Sequence, residues 1–330
     1  MNGAMILGTG MHVPDRVVPN RELTEIMDTS DSWIRERTGI EERRYAEPGT
    51  GASGLALVAS RRAIEAAGLE ADDLDLIVFA TLSPDYNFPG SAVLLQEGLG
   101  VGPIGAIDVR NQCSGFIYGL AVADAFIRAQ SYRHILLVGA EVHSTGLDFS
   151  TGGREVAVLF GDGAGAVVLG PGTEGRGVHS VHLHSEGKYA TKLWLEAPAS
   201  RSRPRIDEEM LRAGRHYPKM EGRAVFKHAV RRFPEAIREA LAAAGLELAD
   251  VDLFVLHQAN LRILEAVADV VQVPMEKFYC NIQKYGNTTA ASIPMALHEA
   301  VREGRIREGN RVLLAAFGSG FTWASALLTW

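Results

Sequence analysis

Short uninterrupted apolar runs alternate with longer amphipathic segments along this chain. One such run, LIVFA at 76–80, has the length of a buried strand, and the Ala-rich segment 60–67 before it has the pattern of a helix. Gly68 stands where that helix should end, because glycine readily adopts the left-handed conformation of a helix C-terminus. Strands buried on both faces are typical of parallel sheets covered by helices. The pattern therefore predicts an α/β fold with largely parallel sheets.

The helix, turn and strand pattern occurs twice, and the two copies define the predicted domain organisation. GLEADDLDLIVFAT begins at Gly68, and the similar GLELADVDLFVLHQ begins at Gly245 after a helical stretch over 233–244. Two duplicated halves, 1–170 and 171–330, are therefore expected to pack about a pseudo-twofold axis. The boundary is placed where PGTEGRG interrupts the pattern. Further elements are predicted in corresponding order: strands at 104–109 and 135–138 around a helix at 114–129, then a strand at 277–280, a helix at 290–301 and a strand at 311–316.

Composition and charge narrow the functional classes. With 330 residues, 47% of them hydrophobic and 22% charged, the chain can bury a large core. Its formal net charge of −7 argues against nucleic acid as a partner. The apolar runs fall short of the roughly 18 residues of a membrane span, and no basic, apolar leader opens the chain, so no membrane is expected either. The two cysteines lie far apart, which fits a reducing, cytoplasmic compartment.

Cys113 is the candidate nucleophile. It lies in DVRNQCSGF, between a predicted strand and a predicted helix, so its sulfur would face the positive end of the helix dipole. That position is expected to lower the pKa of the thiol and to favour the reactive thiolate. The alternative is a buried, inert cysteine, which is the commoner state of a free thiol. Cys280, in the apolar segment KFYC, fits that alternative and is predicted to fill space.

His257 and Asn287 are candidate hydrogen-bond donors. His257 follows the apolar run at 253–256, and α/β folds place their sites at the carboxyl ends of strands. Asn287 precedes a predicted helix in the same half. Each has a plainer alternative, because the histidine can bond a backbone carbonyl and the asparagine can cap the helix. With Cys113 they form a candidate nucleophile and two donors, whose convergence the sequence alone does not establish.

Three other patterns are weaker. The glycines of GDGAGAVVL precede a strand, so a tight turn is predicted there instead of a dinucleotide loop. The histidines of HSVHLH are interpreted as solvated strand residues, and no metal site is predicted. The polar segment 196–219 is predicted to be a long surface excursion with one helical turn at 207–213.

Several segments are recognisable together: DTSDSWIRERTGI, the helix start at Cys113, LFGDGAGAVVL, VFKHAV, LHQANLRI, YGNTTAASIP and FGSGFTWASALL. In this order, and over nearly the whole chain, they resemble the ketoacyl-acyl-carrier-protein synthase III family of the thiolase superfamily. The resemblance implies the layered αβαβα thiolase fold of two duplicated halves. It also implies a homodimer.

The same resemblance implies a reaction. An acyl group passes from acyl-CoA to Cys113 and is then condensed with the malonyl group of malonyl-acyl carrier protein, with no permanently bound cofactor. A thiolate suits this role because it is both a competent nucleophile and a good leaving group. His257 and Asn287 would donate hydrogen bonds to the enolate that forms as carbon dioxide leaves. The backbone N–H groups of Cys113 and Ser319 would form the oxyanion hole.

Contacts with both substrates follow from the resemblance. Contacts with CoA are implied for Trp33, Arg37, Arg154 and Asn260. Contacts with the acidic carrier protein are implied for Lys227, Gln258 and Arg262. Phe88 is implied to reach across the dimer and close the acyl pocket. Taken alone, the tryptophan would be interpreted as a packed surface residue and the basic residues as solvated charges.

Three departures from the family pattern leave the substrate open. Arg-Asn-Gln precedes Cys113, Ser319 replaces the usual middle glycine, and the segment 196–219 is long. The alternatives are a relative that primes polyketide, alkylquinolone or long-chain hydrocarbon synthesis, an acyltransferase on the same fold, a Cys-His-Asn hydrolase, and a non-catalytic binding module. A biosynthetic thiolase is disfavoured, because FGSGFTW lacks the second cysteine that its chemistry needs.

Overall fold

The computed structural model describes residues 3–330. Its strands are β1 (Ala4–His12), β2 (Val17–Pro19), β3 (Glu42–Arg44), β4 (Leu76–Ala80), β5 (Gly105–Val109), β6 (Ile135–Glu141), β7 (Gly163–Pro171), β8 (Gly177–Ser185), β9 (Leu193–Trp194), β10 (Lys219–Met220), β11 (Leu253–Leu256), β12 (Arg311–Gly318) and β13 (Thr322–Thr329). Its α-helices are α1 (Asn20–Thr24), α2 (Asp31–Thr38), α3 (Ala52–Ala66), α4 (Ser91–Leu99), α5 (Gly115–Arg128), α6 (Arg154–Ala157), α7 (Glu208–Arg212), α8 (Gly222–Ala244), α9 (Leu261–Val271), α10 (Ile282–Tyr285) and α11 (Ser292–Arg302).

Two mixed sheets form the framework. The N-terminal sheet has the order β1-β7-β6-β4-β5, in which β4 runs parallel to β5 and β6, while β7 runs antiparallel to β1 and β6. The C-terminal sheet has the order β11-β12-β13-β8, with β11 parallel to β12 and β13 antiparallel to both of its neighbours. The expectation of largely parallel sheets is therefore only partly correct, because each sheet adds antiparallel strands on one side of its parallel strands.

Helices and sheets alternate in five layers. The helices α3 and α4 cover the outer face of the N-terminal sheet, α8 and α9 cover the outer face of the C-terminal sheet, and α5 and α11 lie between the two sheets. Burial between two sheets explains why α5 is so apolar, with Phe116, Ile117 and Leu120 all buried. Full burial of one such side chain contributes about 1.5–3 kcal/mol to folding. The predicted αβαβα fold of two halves is thus confirmed.

The two sequence copies have the same local structure. Gly68 and Gly245, which follow α3 and α8, both have a φ of 67°. In each copy a 3-10 turn with a capping box comes next, at Ala71–Asp73 and at Leu248–Asp250, and leads into β4 or β11. The boundary between 170 and 171 stays a prediction, and it falls at the end of β7.

Other predicted elements differ from the structure or extend it. Residues 277–280 do not form a strand, since only Phe278 forms an isolated bridge and the backbone of Asn281 bonds the side chain of Gln258 (3.1 Å) instead. Cys280 is therefore half-buried outside any strand. The helix expected at 233–244 begins earlier, because α8 continues through Pro234.

The excursion at 196–219 has the predicted helical turn, α7, and the pairing of β9 with β10 closes its base. No helix within residues 3–330 has the length and the apolar character needed to cross a membrane.

Candidate active site

One cavity of about 940 Å³ brings the three candidate residues together. Cys113 enters it from the N-terminal half, while His257 and Asn287 enter it from the C-terminal half. Other lining residues that matter below are Trp33, Arg37, Phe160, Asn260, Arg262 and Gly318. The convergence that the sequence alone did not establish is thus present in the fold.

Cys113 lies in the 3-10 turn Gln112–Ser114, which leads directly into α5, and it is 6% exposed. The end of β12 covers its sulfur so closely that a Cβ atom on Gly318 would lie 2.6 Å from Cys113 Sγ, and only glycine fits there. Burial raises the pKa of the Cys113 thiol to about 12. The expectation that the helix N-terminus lowers this pKa is therefore wrong, because desolvation of the thiolate outweighs the helix dipole.

The backbone N–H groups of Ser319 and of Cys113 itself act to lower the pKa of the thiol and partly offset the effect of burial. Donors fixed in this way can also serve an oxygen that develops negative charge beside the sulfur. The side chain of Ser319 is used elsewhere, because its hydroxyl donates to the carbonyl of Leu193 in β9. The oxyanion hole at Cys113 and Ser319 stays a prediction that this geometry permits.

His257 follows β11, and its N–H donates to Ala315 O of the neighbouring β12 (2.9 Å). Its Nδ1 lies 2.7 Å from Ser292 Oγ, whereas its buried Nε2 has no hydrogen-bond partner within residues 3–330. Burial lowers the pKa of His257 to about 3, so the imidazole is neutral at physiological pH. A neutral ring held at Nδ1 leaves Nε2 available to a ligand in the cavity.

Asn287 is held by its backbone and by its side chain. Its N–H donates to Leu159 O (2.8 Å), and its carbonyl accepts from the Gly161 N–H (3.1 Å). Its Oδ1 accepts from the Thr289 N–H (2.9 Å). The helix-cap alternative is therefore wrong, because Thr288 is the N-cap residue of the 3-10 turn Thr289–Ala291 and Ala291 is that of α11. Because Oδ1 is engaged within the fold, the Nδ2 side of the amide remains to donate to a ligand.

The four residues implied to bind CoA lie close together. The guanidinium carbon of Arg37 is 4.9 Å from the ring centroid of Trp33, and that of Arg154 is 5.3 Å from it. Stacked in this way, the side chains present a flat, positively charged surface that suits an aromatic base with phosphates. Asn260 caps α9, since its Oδ1 accepts from the Arg262 N–H (2.9 Å), and its Nδ2 donates to Arg37 O (2.9 Å). Their contacts with CoA stay predictions.

Two of the three residues implied to meet the carrier protein lie on one surface. Lys227 of α8 is exposed, and the guanidinium of Arg262 lies 6.0 Å from the ring centroid of Phe226, which is also exposed. Gln258 is 1% exposed, and its Nε2 donates to two backbone carbonyls inside the fold, at 2.8 and 3.1 Å. The predicted contact between Gln258 and the carrier protein is therefore wrong, because this amide is buried and fully used.

Phe88 lies on the loop between β4 and α4 and is 80% exposed. It does not line the cavity formed by residues 3–330 of its own chain. Tyr86 of the same loop is also exposed, and exposed apolar side chains that lie together are typical of an interaction surface. Its reach into a second copy of the chain stays a prediction.

Sequence reasoning missed two buried residues that support the site. Glu141, at the end of β6, accepts hydrogen bonds from the Ser83 hydroxyl (2.6 Å) and from the Ala290 N–H (3.4 Å), and burial raises its pKa to about 7. The available signal was a carboxylate that ends the apolar run ILLVGAE. Ser292, which holds His257, could have been suspected only from its place shortly after Asn287.

Family models and a curated relative match this chain. The model described as 3-Oxoacyl-[acyl-carrier-protein (ACP)] synthase III matches residues 107–187, and the model of the C-terminal part of that synthase matches residues 241–330. A beta-ketoacyl-[acyl-carrier-protein] synthase III from Roseiflexus sp. (strain RS-1) is 46% identical over 329 residues, which cover 100% of this chain and 99% of the relative. The chain belongs to the 3-oxoacyl-[acyl-carrier-protein] synthase III family.

Solved structures of synthase III proteins agree with this assignment. The protein from Aquifex aeolicus VF5 is 41% identical, with a TM-score of 0.91 over 99% of this chain and 100% of that chain. The protein from Thermus thermophilus is 43% identical, with a TM-score of 0.91 over 98% of each chain. The resemblance inferred from the motifs is thus confirmed. So is the enzyme class, because synthase III enzymes are acyltransferases.

Proposed function

We propose that this protein catalyses the decarboxylating Claisen condensation of an acyl-CoA primer with malonyl-acyl carrier protein. The product is 3-oxoacyl-acyl carrier protein, and the step initiates fatty acid synthesis. The observation that carries the proposal is the meeting of Cys113, His257 and Asn287 in one cavity of a synthase III chain.

The first half-reaction loads the enzyme. Sγ of Cys113 attacks the thioester carbon of acyl-CoA, the bond from that carbon to the CoA sulfur breaks, and the thiol proton leaves with CoA. The N–H groups of Ser319 and Cys113 stabilise the oxyanion of the tetrahedral intermediate, and one such donor typically contributes about 3 kcal/mol to transition-state stabilisation. The acyl group is then stored on Cys113 as a thioester.

The second half-reaction uses the two donors of the C-terminal half. When the malonyl carboxylate leaves as carbon dioxide, its bonding electrons form an enolate, which is stabilised by hydrogen bonds from His257 Nε2 and Asn287 Nδ2. In this role Nε2 carries the proton, and the Ser292 hydroxyl donates to His257 Nδ1 (2.7 Å) in place of the Thr289 carbonyl (2.9 Å) to which it otherwise donates. The enolate carbon attacks the acyl carbon, the bond from that carbon to Sγ breaks, and the Cys113 thiolate that leaves takes up a proton from water. No base is needed, because decarboxylation itself supplies the carbanion.

The surfaces around the cavity suit the two substrates. We assign CoA to Trp33, Arg37, Arg154 and Asn260. We assign the acidic carrier protein to the exposed basic residues Lys227 and Arg262, where opposite charge favours association. The enzyme would work in the cytoplasm as a homodimer, with Phe88 of each protomer capping the acyl pocket of the other, as its 80% exposure suggests. Priming of polyketide, alkylquinolone or hydrocarbon synthesis is not favoured, since the relatives described above carry the name of the fatty acid enzyme.

Separate assays of the two half-reactions test this proposal. His257→Ala and Asn287→Ala should still form acyl-Cys113 from acetyl-CoA, as measured by mass of the intact protein. Their condensation with malonyl-acyl carrier protein should fall by about 10²–10³-fold, the usual effect of removing one fixed donor. Normal condensation by both variants would refute the donor roles, and release of free acid without condensation would favour a hydrolase.

A further inference from the structure

His143 is a buried histidine that the proposed reaction does not use. It lies two residues after β6 and is 9% exposed. Its ring centroid is 4.7 Å from that of Phe160, and its Nε2 lies 2.8 Å from Thr289 Oγ1. Phe160 lines the cavity, and Thr289 begins the turn before α11. One imidazole therefore contacts two neighbours of Asn287.

Thr289 has a backbone conformation that threonine adopts rarely. Its φ is 49°, in the left-handed region, where a β-branched side chain is crowded against its own backbone. In this conformation the Thr289 N–H donates to Asn287 Oδ1 (2.9 Å). The hydrogen bond between His143 and the Thr289 hydroxyl holds the side chain in place, and with it the backbone that directs this N–H to Asn287.

Phe160 provides a second connection between His143 and Asn287. Phe160 and Asn287 form an isolated parallel bridge, and the residues on either side of Phe160 make the two backbone hydrogen bonds of Asn287. Because the His143 ring packs on the Phe160 side chain, it supports the segment that holds the Asn287 backbone. The side chain and the backbone of Asn287 therefore both depend on neighbours that His143 contacts.

We propose that His143 is a positioning residue that acts through Thr289 and Phe160 to hold the Asn287 amide with its Nδ2 directed at the condensing substrate. This inference rests on the proposed function, because it requires that Asn287 stabilise the enolate. His143 should then affect condensation and leave acyl transfer to Cys113 unchanged. Burial lowers the pKa of His143 to about 3, so the ring stays neutral and its bond to Thr289 persists across physiological pH.

The test combines Thr289→Val and His143→Leu, which remove the hydrogen bond at similar volume, with Asn287→Ala. Both single variants should acylate Cys113 with acetyl-CoA as the wild type does. The kcat of condensation should fall about tenfold while the KM for malonyl-acyl carrier protein stays within about twofold, because a misplaced donor weakens the transition state more than substrate binding. Thr289→Val should cause no further loss when added to Asn287→Ala, since the hydroxyl acts through that amide.

Conservative variants and a matched control separate positioning from simple stability. Thr289→Ser and His143→Gln keep hydrogen-bonding groups and should recover most of the kcat. His298→Leu is the control, because His298 Nδ1 makes a similar bond to Thr9 Oγ1 (3.0 Å) at a place that does not line the cavity of residues 3–330. This control should leave the kcat unchanged.

Additive losses in the Thr289→Val/Asn287→Ala double variant would overturn the positioning role. So would equal losses of acylation and condensation in Thr289→Val. If Asn287→Ala itself condenses normally, the proposed donor role fails, whatever the result for His143. If His143→Leu does not fold, Thr289→Val and its recovery by Thr289→Ser still decide the question.

Discussion

The turns that lead into the two central helices have similar backbones and different chemistry. Gln112–Ser114 precedes α5, Thr289–Ala291 precedes α11, and the first residue of each turn has a positive φ, 45° and 49°. The second residue is the nucleophile Cys113 in one turn and the inert Ala290 in the other. The C-terminal half instead places its polar group, Asn287, just before the turn. The duplicated halves thus keep the same strained turn, and its side chains decide what each half contributes.

The strands β4 and β11 show the same division one residue past their ends. Thr81 follows β4, and its hydroxyl donates to the buried carboxylate of Glu141 (3.1 Å). His257 follows β11, and its ring is held by Ser292 with Nε2 left without a partner in residues 3–330. The N-terminal position is therefore used within the structure, while the C-terminal position is open to a ligand. The two halves therefore use different positions for function. The N-terminal half uses the second residue of the turn, and the C-terminal half uses the residue after the strand.

The largest effect is expected for a substitution that removes the chemical difference between the two turns. Cys113→Ala gives the first turn the residue that the second already has, and a smaller side chain fits beside Gly318. We expect no acyl-enzyme and no measurable condensation, with an unchanged Tm, because the nucleophile is lost while the packing is kept. Intact-protein mass spectrometry after incubation with acetyl-CoA and a condensation assay measure this.

Cys280→Ala is the matched control, because Cys280 is the other free thiol of the described chain and does not line the cavity. It should acylate and condense as the wild type does. Labelling that persists in Cys113→Ala, or disappears in Cys280→Ala, would contradict the assignment of the nucleophile.

The second prediction tests whether burial or the helix N-terminus determines the pKa of the Cys113 thiol. Because burial raises the pKa of this thiol to about 12, its thiolate fraction should increase with each step in pH below that value. Its alkylation by iodoacetamide should therefore accelerate about tenfold per pH unit, without a plateau, between about pH 6 and about pH 9. A plateau within this range would mean that the helix N-terminus and the N–H groups outweigh burial after all.

Much of the fold can be predicted from the sequence, because buried segments have an apolar composition that is visible locally. The helix expected at 114–129 is α5, and the strand expected at 311–316 is the main part of β12. The repeat predicted two matching halves, since the same glycine, acidic turn and apolar run serve the same packing in each. Strand direction was predicted less well, because an antiparallel strand between two covering layers is as apolar as a parallel one.

The wrong predictions concern residues whose surroundings depend on atoms that lie far away in the sequence. The pKa of Cys113 depends on how closely Gly318 covers it, and these residues are far apart in the sequence. Gln258 looks like a surface amide, yet it lies in the interior, where Asn281 donates to its Oε1. The turn around Asn287 likewise depends on His143, which no spacing rule connects to it. Such contacts join segments that lie far apart in the sequence, so no local pattern predicts them.

A moderate effect is expected for Lys227 and Arg262, the basic residues assigned to the carrier protein, both of which belong to the C-terminal half. Lys227→Glu and Arg262→Glu should raise the KM for malonyl-acyl carrier protein about tenfold and change the KM for acyl-CoA much less, because the attraction to an acidic partner is reversed. Added salt should reduce the difference, since charges are screened over about 8 Å at physiological ionic strength. Arg238→Glu, on an exposed site further along α8, is the control and should behave as the wild type does. Equal losses with both substrates would place these residues outside the carrier-protein surface.

The smallest effect is expected for the stability of variants at two equivalent aspartates, which precede β4 and β11. Asp75 Oδ2 accepts from the N–H groups of Arg133 and His134 (both 2.8 Å), whereas Asp252 Oδ2 accepts from the N–H of Arg311 (2.8 Å). Asp75 is also half-buried, while Asp252 is exposed. Asp75→Ala should therefore lower the free energy of unfolding by about 1–2 kcal/mol, and Asp252→Ala by about half as much, because water replaces the lost acceptor more easily at an exposed site. Urea denaturation of both variants measures the difference. Equal losses would show that the unequal burial of the two aspartates does not affect their contribution to stability.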